Sequence, residues 1–382
     1  MKRALIVSSV ASMIEQFNMN NIQILKDLGY KVDVATNFSN PGTINNEVAE
    51  KLISNLKLMD VDCFQIDFPR GMGNIKSNID CYKKLKELAE KKYSIVHCHS
   101  PIGGVLTRLA FKKSSTKVIY TAHGFHFYRG GPIKSWLVFY PIERYLSKFT
   151  DALLTINNED TEIANKFNAG KVVQIPGVGI KNNKYSRVYT DVEKARIKSD
   201  LGIDGDSLVL ISIGELSDRK NHITGIRALS RMKKPAHYII CGEGVLEDEL
   251  KNQVNSMGLT EQVSFMGYVQ DAEKYLAISD ISLFLSKREG LGLAGLEAMS
   301  AGVPLISSYI GGIKDYTEDG KTGFTIENPV DSVAVTESLN KWSKLSSMKK
   351  EKISLNCRKI ASRYDELIVN EVMRSVYKNI TG

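Results

Sequence analysis

Cysteine is scarce in this chain of 382 residues, and no apolar run is long. The five cysteines, Cys63, Cys81, Cys98, Cys241 and Cys357, are odd in number and widely scattered. No two are spaced as metal ligands, which argues against a disulfide framework and for a reducing compartment. No stretch approaches the ~18 apolar residues of a membrane-spanning helix. Met1-Lys2-Arg3 ahead of apolar residues 4–7 has the outline of a signal peptide, but the run is short and Glu15 soon interrupts. Residues 4–7 read instead as a buried first strand. No Gly-x-Gly-x-x-Gly turn follows that strand, and Gly242-Glu243-Gly244 lacks the third glycine. Both facts argue against an NAD-dependent oxidoreductase. Short-period repeats and low-complexity tracts are missing. No basic run is interleaved with aromatics, so no nucleic-acid partner is expected.

What is present is ordinary for a soluble globular protein, with 43% hydrophobic and 25% charged residues. The length suits two domains or three. The net charge of +8 is unevenly divided. Residues 1–180 hold 23 Lys and Arg against 16 Asp and Glu, whereas residues 181–382 hold 28 against 27. Basic character in one half suits an acidic partner, such as anionic lipid or a phosphorylated acceptor. A Lys-rich solvated surface explains it equally well.

Apolar, β-branched runs at residues 4–7, 31–35, 95–97 and 118–120 read as strands. Segments 20–28 and 81–91 between them have helical spacing. The rhythm restarts at 208–213, 238–241, 263–265 and 281–285. Such alternation predicts parallel sheets with crossover helices, here in two doubly wound α/β domains. The break falls near Ile175-Pro176-Gly177-Val178-Gly179. Ligands of open α/β sheets sit beyond the carboxyl ends of strands. With two such domains face to face, the expected site is the cleft between them.

The densest signal is Glu289-Gly290-Leu291-Gly292-Leu293-Ala294-Gly295-Leu296-Glu297. It reads as strand, glycine turn, then a helix over 293–300 that Gly302-Val303-Pro304 stops. A helix start has unpaired N–H groups and a partial positive charge, so it attracts anions. Gly290 and Gly292 let the backbone approach such an anion. One carboxylate precedes the turn, and the other lies about two helical turns into it. Together they could accept hydroxyls on either side of a phosphate, which describes a nucleotide-sugar. An acidic first turn of an ordinary helix is the plainer alternative, but it leaves the glycines unexplained.

The block from Arg288 to Met299, then Ala301-Gly302-Val303-Pro304 and Gly311-Gly312, resembles the donor-site signature of retaining glycosyltransferases of family 4. The resemblance extends over nearly the whole chain, through Gly214-Glu215-Leu216, Cys241-Gly242-Glu243-Gly244 and Phe265-Met266-Gly267. It implies the GT-B fold, two Rossmann-like domains facing across a cleft. The expected division is an acceptor domain over 1–180, a nucleotide-sugar donor domain over 181–364, and a C-terminal helix, 365–382, that crosses back to the first domain.

By the same resemblance, Glu289 meets hydroxyls of the transferred sugar and Glu297 those of the ribose. The N–H groups of Gly290, Leu291 and Gly292 hold the diphosphate. Gly242, Glu243 and Met266 line the base pocket. Lys220, in Gly214-Glu215-Leu216-Ser217-Asp218-Arg219-Lys220-Asn221-His222, matches the phosphate-binding lysine. A cation there stabilises the leaving diphosphate without proton transfer. The family commonly has arginine directly after the first glycine. This chain has Glu215, which removes one phosphate contact unless Arg219 supplies it; adjacent residues on an extended backbone usually point apart.

His97, His99, His123 and His126 cluster in His97-Cys98-His99-Ser100-Pro101 and Tyr120-Thr121-Ala122-His123-Gly124-Phe125-His126, each ending a strand. Histidines just past strand ends are expected to face the cleft. A zinc site lacks a convincing ligand set. His97 reads as a satisfied core residue. His123 matches the family histidine beside the anomeric carbon, so His123, Glu289 and Lys220 form the expected catalytic set. No enzymic nucleophile is assigned. His126 is a second candidate for that space or an acceptor contact, joined by His99 and Ser9. Ser9 lies in Ser8-Ser9-Val10-Ala11-Ser12, where many relatives have paired glycines.

Trp136-Leu137-Val138-Phe139-Tyr140-Pro141-Ile142, flanked by Lys134, Arg144 and Lys148, suits a helix packed on the first sheet or one facing lipid. Both hold if aromatics face inward and lysines outward. The resemblance implies transfer, with retention, from a nucleoside-diphosphate sugar to a hydroxyl acceptor. UDP is the first choice of nucleotide, with ADP and GDP open. The expected acceptor is a lipid-linked glycan of surface polysaccharide assembly. No metal or cofactor is expected. The expected location is cytoplasmic, with peripheral contact on the inner membrane face through the basic half. Two alternatives share the fold: a nucleotide-sugar epimerase, and a non-catalytic partner subunit, which Glu215 supports. The paired glutamates also invite a hydrolase mechanism, but next to Lys220 and His123 neither is asked to move a proton.

Overall fold

The computed structural model describes residues 2–99 and 101–381. Ser100, from the histidine motif, lies outside them, as do Met1 and Gly382 at the limits of the expected domains. The described residues form two compact units. One runs to Val178 and resumes at Leu367, and the other is Gly179–Glu366.

The first unit is a sheet of β1 (Arg3–Val7), β2 (Lys31–Thr36), β3 (Asp62–Gln65), β4 (Ile95–His99), β5 (Lys117–Ala122), β6 (Ala152–Thr155) and β7 (Lys171–Gln174). The order is β3-β2-β1-β4-β5-β6-β7, and every pairing is parallel. Its central strands are buried along nearly their whole length. This is why their sequences run apolar rather than alternating. Leu5, Val7, Val96, Val118 and Leu153 pack in one core with Leu85, Leu88, Ala110 and Phe111 from the crossover helices. The chain steps outward in one sense from β1 to β3 and in the other from β4 to β7, so the carboxyl ends of β1 and β4 mark the switch point where α/β sheets bind ligands. Ser9 follows β1, and His99 closes β4.

The second unit is a parallel sheet of β8 (Leu208–Ile213), β9 (Ala236–Cys241), β10 (Val263–Phe265), β11 (Ile281–Phe284), β12 (Leu305–Ser308) and β13 (Gly323–Ile326). The order β10-β9-β8-β11-β12-β13 puts its switch point between β8 and β11. The segment with Lys220 follows β8, and the segment with Glu289 follows β11. The first and last backbones of this unit are tied side by side. Ile180 N–H donates to Tyr364 C=O at 2.9 Å, and Glu366 N–H donates to Ile180 C=O at 3.0 Å.

The terminal helix, Glu366–Thr381, belongs to the first unit from Leu367 onward. It buries Val369, Met373, Val376 and Tyr377 there. Two expectations need correction. His99 does not follow a strand but closes β4, which continues two residues past the expected end at His97. Glu297 is not two turns into its helix. The helix begins at Leu293, so Glu297 is its fifth residue, just past the first turn.

Candidate active site

In the second unit, the glycine turn after β11 is built backbone against backbone. Gly292 has φ +87°, and a Cβ there would lie 2.7 Å from the Phe284 ring. A Cβ on Gly312 would meet Gly290 C=O at 2.1 Å, and one on Gly311 would meet Glu289 C=O at 2.3 Å. The later glycine pair therefore holds the turn by close approach. The Tyr316 hydroxyl donates to Gly292 C=O at 3.0 Å.

Glu289 projects from this turn and is nearly buried. One of its oxygens, Oε1, accepts from Lys220 Nζ at 2.6 Å, Ser286 Oγ at 2.9 Å and Arg219 Nη1 at 3.1 Å. Arg219 and Lys220 thus converge rather than point apart. The backbone explains it. Lys220 and Asn221 N–H both return to Ser217 C=O, and Asn221 sits in the left-handed region at φ 59°. The Asn221 amide donates to Leu285 C=O at 3.0 Å and to Pro329 C=O at 2.7 Å, tying the loop after β8 to the end of β11. Glu215 lies 3.7 Å from Arg219. His222 supports the same loop, with Nδ1 2.8 Å from the Ser212 hydroxyl and Nε2 3.2 Å from Glu215 C=O. Burial pushes its pKa down to about 4, so at neutral pH it is an uncharged brace.

Glu297 lies beside Tyr185. The short helix Asn182–Tyr185 packs on Leu293–Ser300, with Ser300 Oγ 2.6 Å from Asn182 Oδ1. One turn along each helix, the Tyr185 hydroxyl hydrogen-bonds the Glu297 carboxyl. Burial raises that carboxyl above the ordinary range, against the opposing pull of Tyr185, Lys184 and Lys220. The loops after β8, β9 and β10 also touch. A Cβ on Gly242 would sit 1.9 Å from Gly214 C=O, and Gly242 N–H donates to Gly267 C=O at 2.8 Å. Glu243 accepts from Tyr268 N–H at 3.2 Å, and half-buried Met266 lies in the same loop set.

In the first unit, His99 Nδ1 and His123 Nε2 are 2.9 Å apart with stacked rings. The His97 ring lies 4.4 Å from that of His99. His97 sits between two hydroxyls, Tyr377 and Thr121, each at 2.7 Å. His97, His99 and His123 line a small cavity with Phe17, Asn20 and Asn370. Burial pushes His97 down to about 3 and His123 to about 4, and holds His99 well below its ordinary value. The cluster is therefore uncharged at neutral pH. The hydroxyl of Ser9 accepts from Gly103 N–H at 2.9 Å. His126 does not line the cavity; its ring packs on Phe139, 4.9 Å away. Among the described residues, no three His, Cys, Asp or Glu side chains are grouped to hold a metal ion.

Residues 193–360 match the family model for glycosyl transferases group 1, and residues 6–157 match that for glycosyl transferase 4-like proteins. The putative glycosyltransferase EpsD of Bacillus subtilis is 32% identical over 98% of this chain and 96% of its own. The chain belongs to the group 1 glycosyltransferases. A second relative, the Escherichia coli UDP-Gal:alpha-D-GlcNAc-diphosphoundecaprenol alpha-1,3-galactosyltransferase, is 32% identical over 68% of each chain. Among solved structures, Anabaena HepE in complex with UDP and glucose overlays with a TM-score of 0.78 at 18% identity, covering 99% of this chain and all of its own. The architecture of this glycosyltransferase is thus the α/β GT-B fold.

Several residues that build the candidate site carried no signal of their own. Asn221 and His222 stood in a motif but without roles, and Ser286 ended an apolar run. Tyr185 lies 112 positions before Glu297 in a polar stretch, and only the packing of two helices relates them. The left-handed backbone at Asn221 has a partial cue, since asparagine tolerates that region better than most residues.

Proposed function

We propose that this glycosyltransferase moves a sugar from a UDP-sugar to a hydroxyl of a lipid-linked glycan, with retention at the anomeric carbon. One observation carries the donor half: Lys220, Arg219 and Ser286 all converge on one oxygen of Glu289, beside the glycine turn that opens the helix Leu293–Ser300. The two cations are held near a helix start by a carboxylate that a diphosphate can displace. Once displaced, Glu289 is free to accept hydroxyls of the sugar, while N–H groups of Gly290, Leu291 and Gly292 face the phosphates. Glu297 takes the ribose, and the loops of Gly242, Glu243 and Met266 take the base. Arg219 stands in for the arginine missing at position 215. His123 serves the reacting centre as a neutral imidazole, with His99 and Ser9 on the acceptor side.

The choice of UDP is supported by the HepE complex, and a lipid-linked acceptor by the name of the Escherichia coli relative. A cytoplasmic location is supported by five free cysteines, four of them buried. No metal or cofactor is invoked. Lys220→Ala tests the reading in a donor screen that follows UDP release with and without acceptor extracts. Loss of the leaving-group cation is expected to slow release by about 10²-fold or more. Unchanged release would remove Lys220 from the site, and acceptor-independent conversion of the UDP-sugar to an epimer would replace transfer by epimerisation.

A further inference from the structure

The helix Ile133–Leu146 has an apolar face on each side. Inward, Trp136, Phe139 and Tyr140 pack against the core of the first unit, and the Trp136 indole N–H donates to Tyr128 C=O at 3.1 Å. Glu143, the one acidic residue of the helix, is also used inside. It accepts from Arg108 Nη1 at 2.8 Å and from the Tyr120 hydroxyl at 3.0 Å.

At about 100° per residue, a second set of residues falls on the opposite half. They are Ile133, Leu137, Val138, Pro141, Ile142 and Tyr145, with Lys134 and Arg144 among them. Ile133 is 77% exposed, Leu137 71% and Tyr145 50%. Scattered exposed apolar residues are ordinary, but a contiguous set marks an interaction surface. Cations frame this one at both ends. Lys134 stands at the first turn, Arg144 at the last and Lys148 just beyond it, all exposed. Lys112 Nζ lies 5.9 Å over the Phe149 ring, which meets Tyr145 edge-on at 5.4 Å. With Glu143 turned inward, the face presents no carboxylate of its own. A second copy docked on it would bring the same cations against themselves. An interfacial helix on an anionic bilayer has the composition seen here, apolar residues with lysine and arginine and no acid.

We infer that the outer face of the helix Ile133–Leu146 docks on an anionic phospholipid surface, with Ile133, Leu137, Val138, Ile142 and Tyr145 entering the headgroup boundary and Lys134, Arg144 and Lys148 against lipid phosphates. This surface is independent of which sugar is transferred.

The test is co-sedimentation of the full chain with vesicles of phosphatidylcholine alone or mixed with phosphatidylglycerol. The wild type is expected to bind the mixed vesicles at least about tenfold more tightly, and added salt to erase the difference. Arg144→Gln should cost about fivefold on mixed vesicles only. Leu137→Asp combined with Ile142→Asp should lower binding by about tenfold or more on both. Leu58→Asp, at a residue 87% exposed on the helix Asn46–Leu58, should change nothing. Far-UV circular dichroism and UDP affinity serve as folding controls for each variant. Equal binding to the two vesicle types, no binding to either, or full binding by the Leu137/Ile142 variant would overturn the inference. So would a wild-type dimer in sedimentation velocity that this variant dissolves, since that would give the face to a second copy.

Discussion

Glu289→Gln separates two roles that the proposed site gives to one carboxylate. Its Oε1 takes Lys220 at 2.6 Å, Ser286 at 2.9 Å and Arg219 at 3.1 Å. The Lys220 side chain is only 14% exposed, so its counterion matters. The amide oxygen of glutamine can still accept from all three groups but carries no charge. Two effects of opposite sign follow. Glu289 competes with a diphosphate for Lys220 and Arg219 and also repels it. Two unit charges about 4 Å apart interact by about 4 kcal/mol at an effective dielectric of 20. Arg219 is half exposed and the amide dipole replaces part of the interaction, so about 1–2 kcal/mol of that competition is expected to be released. UDP should therefore bind about tenfold more tightly to the variant. The transferred sugar, in contrast, loses a charged acceptor for its hydroxyls. Hydrogen bonds to charged groups contribute about 1.5–3 kcal/mol, so transfer should slow by about ten- to a hundredfold. Isothermal titration with UDP reads the first effect, and single-turnover UDP release reads the second. Weaker UDP binding would show that Glu289 organises the cations rather than competing for them. Unchanged turnover would place Glu289 outside the reacting sugar's reach.

Tyr185→Phe removes the hydroxyl that meets Glu297, and if Glu297 reads the ribose, the variant should lose part of its preference for UDP over 2′-deoxy-UDP. The donor KM should rise about three- to tenfold with kcat unchanged, as expected for one lost hydrogen bond in binding; an unaltered ratio of the two affinities would detach Tyr185 from donor selection. A separate prediction concerns pH and stability. His97, His123 and His222 are held down to about 3, 4 and 4 when folded, against about 6.5 when unfolded. Below pH 6.5 the unfolded chain binds protons that the folded chain refuses, so this stability is present above pH 6.5 and is lost as pH falls towards 4. The urea midpoint should drop between pH 7 and pH 5, and His97→Asn should reduce the slope; a flat midpoint over that window would contradict the uncharged cluster.

Much of the fold was legible because the central strands are buried on both faces. Residues 4–7, 208–213 and 281–285 announce themselves as apolar runs, and their spacing carries the two parallel sheets. The strands that were not legible are those lying beside them or at the edges. β3 is Asp62–Gln65, half exposed and polar at both ends, and β7 begins and ends on exposed residues. β12 is half serine, and β13 begins at Gly323, where φ is +131° and a side chain would meet Leu305 C=O at 1.9 Å. Such strands are set by their neighbours rather than by their own composition. The extension of β4 through His99 has the same origin. Its ladder partner is β5, and His97 is satisfied by Tyr377, 280 positions away.

The site shows the same division between what a strand end implies and what only a tertiary contact supplies. Glu289 and Lys220 are 69 positions apart, yet their meeting follows from topology, because each stands just beyond a strand that borders the switch point. What could not be inferred was the bend that aims two adjacent side chains at one oxygen. That bend belongs to Asn221, whose amide is anchored on two carbonyls from distant segments. It also changes the meaning of Glu215. Taken alone, an acid where the family resemblance leads one to expect arginine looks like a lost phosphate contact and weakens the case for turnover. In the folded loop, Glu215 lies 3.7 Å from Arg219 Nη2, while Nη1 of the same guanidinium reaches Glu289 at 3.1 Å. On the proposed reading of this loop, Arg219 offers a diphosphate the charge that position 215 lacks, and Glu215 stands close enough to orient it.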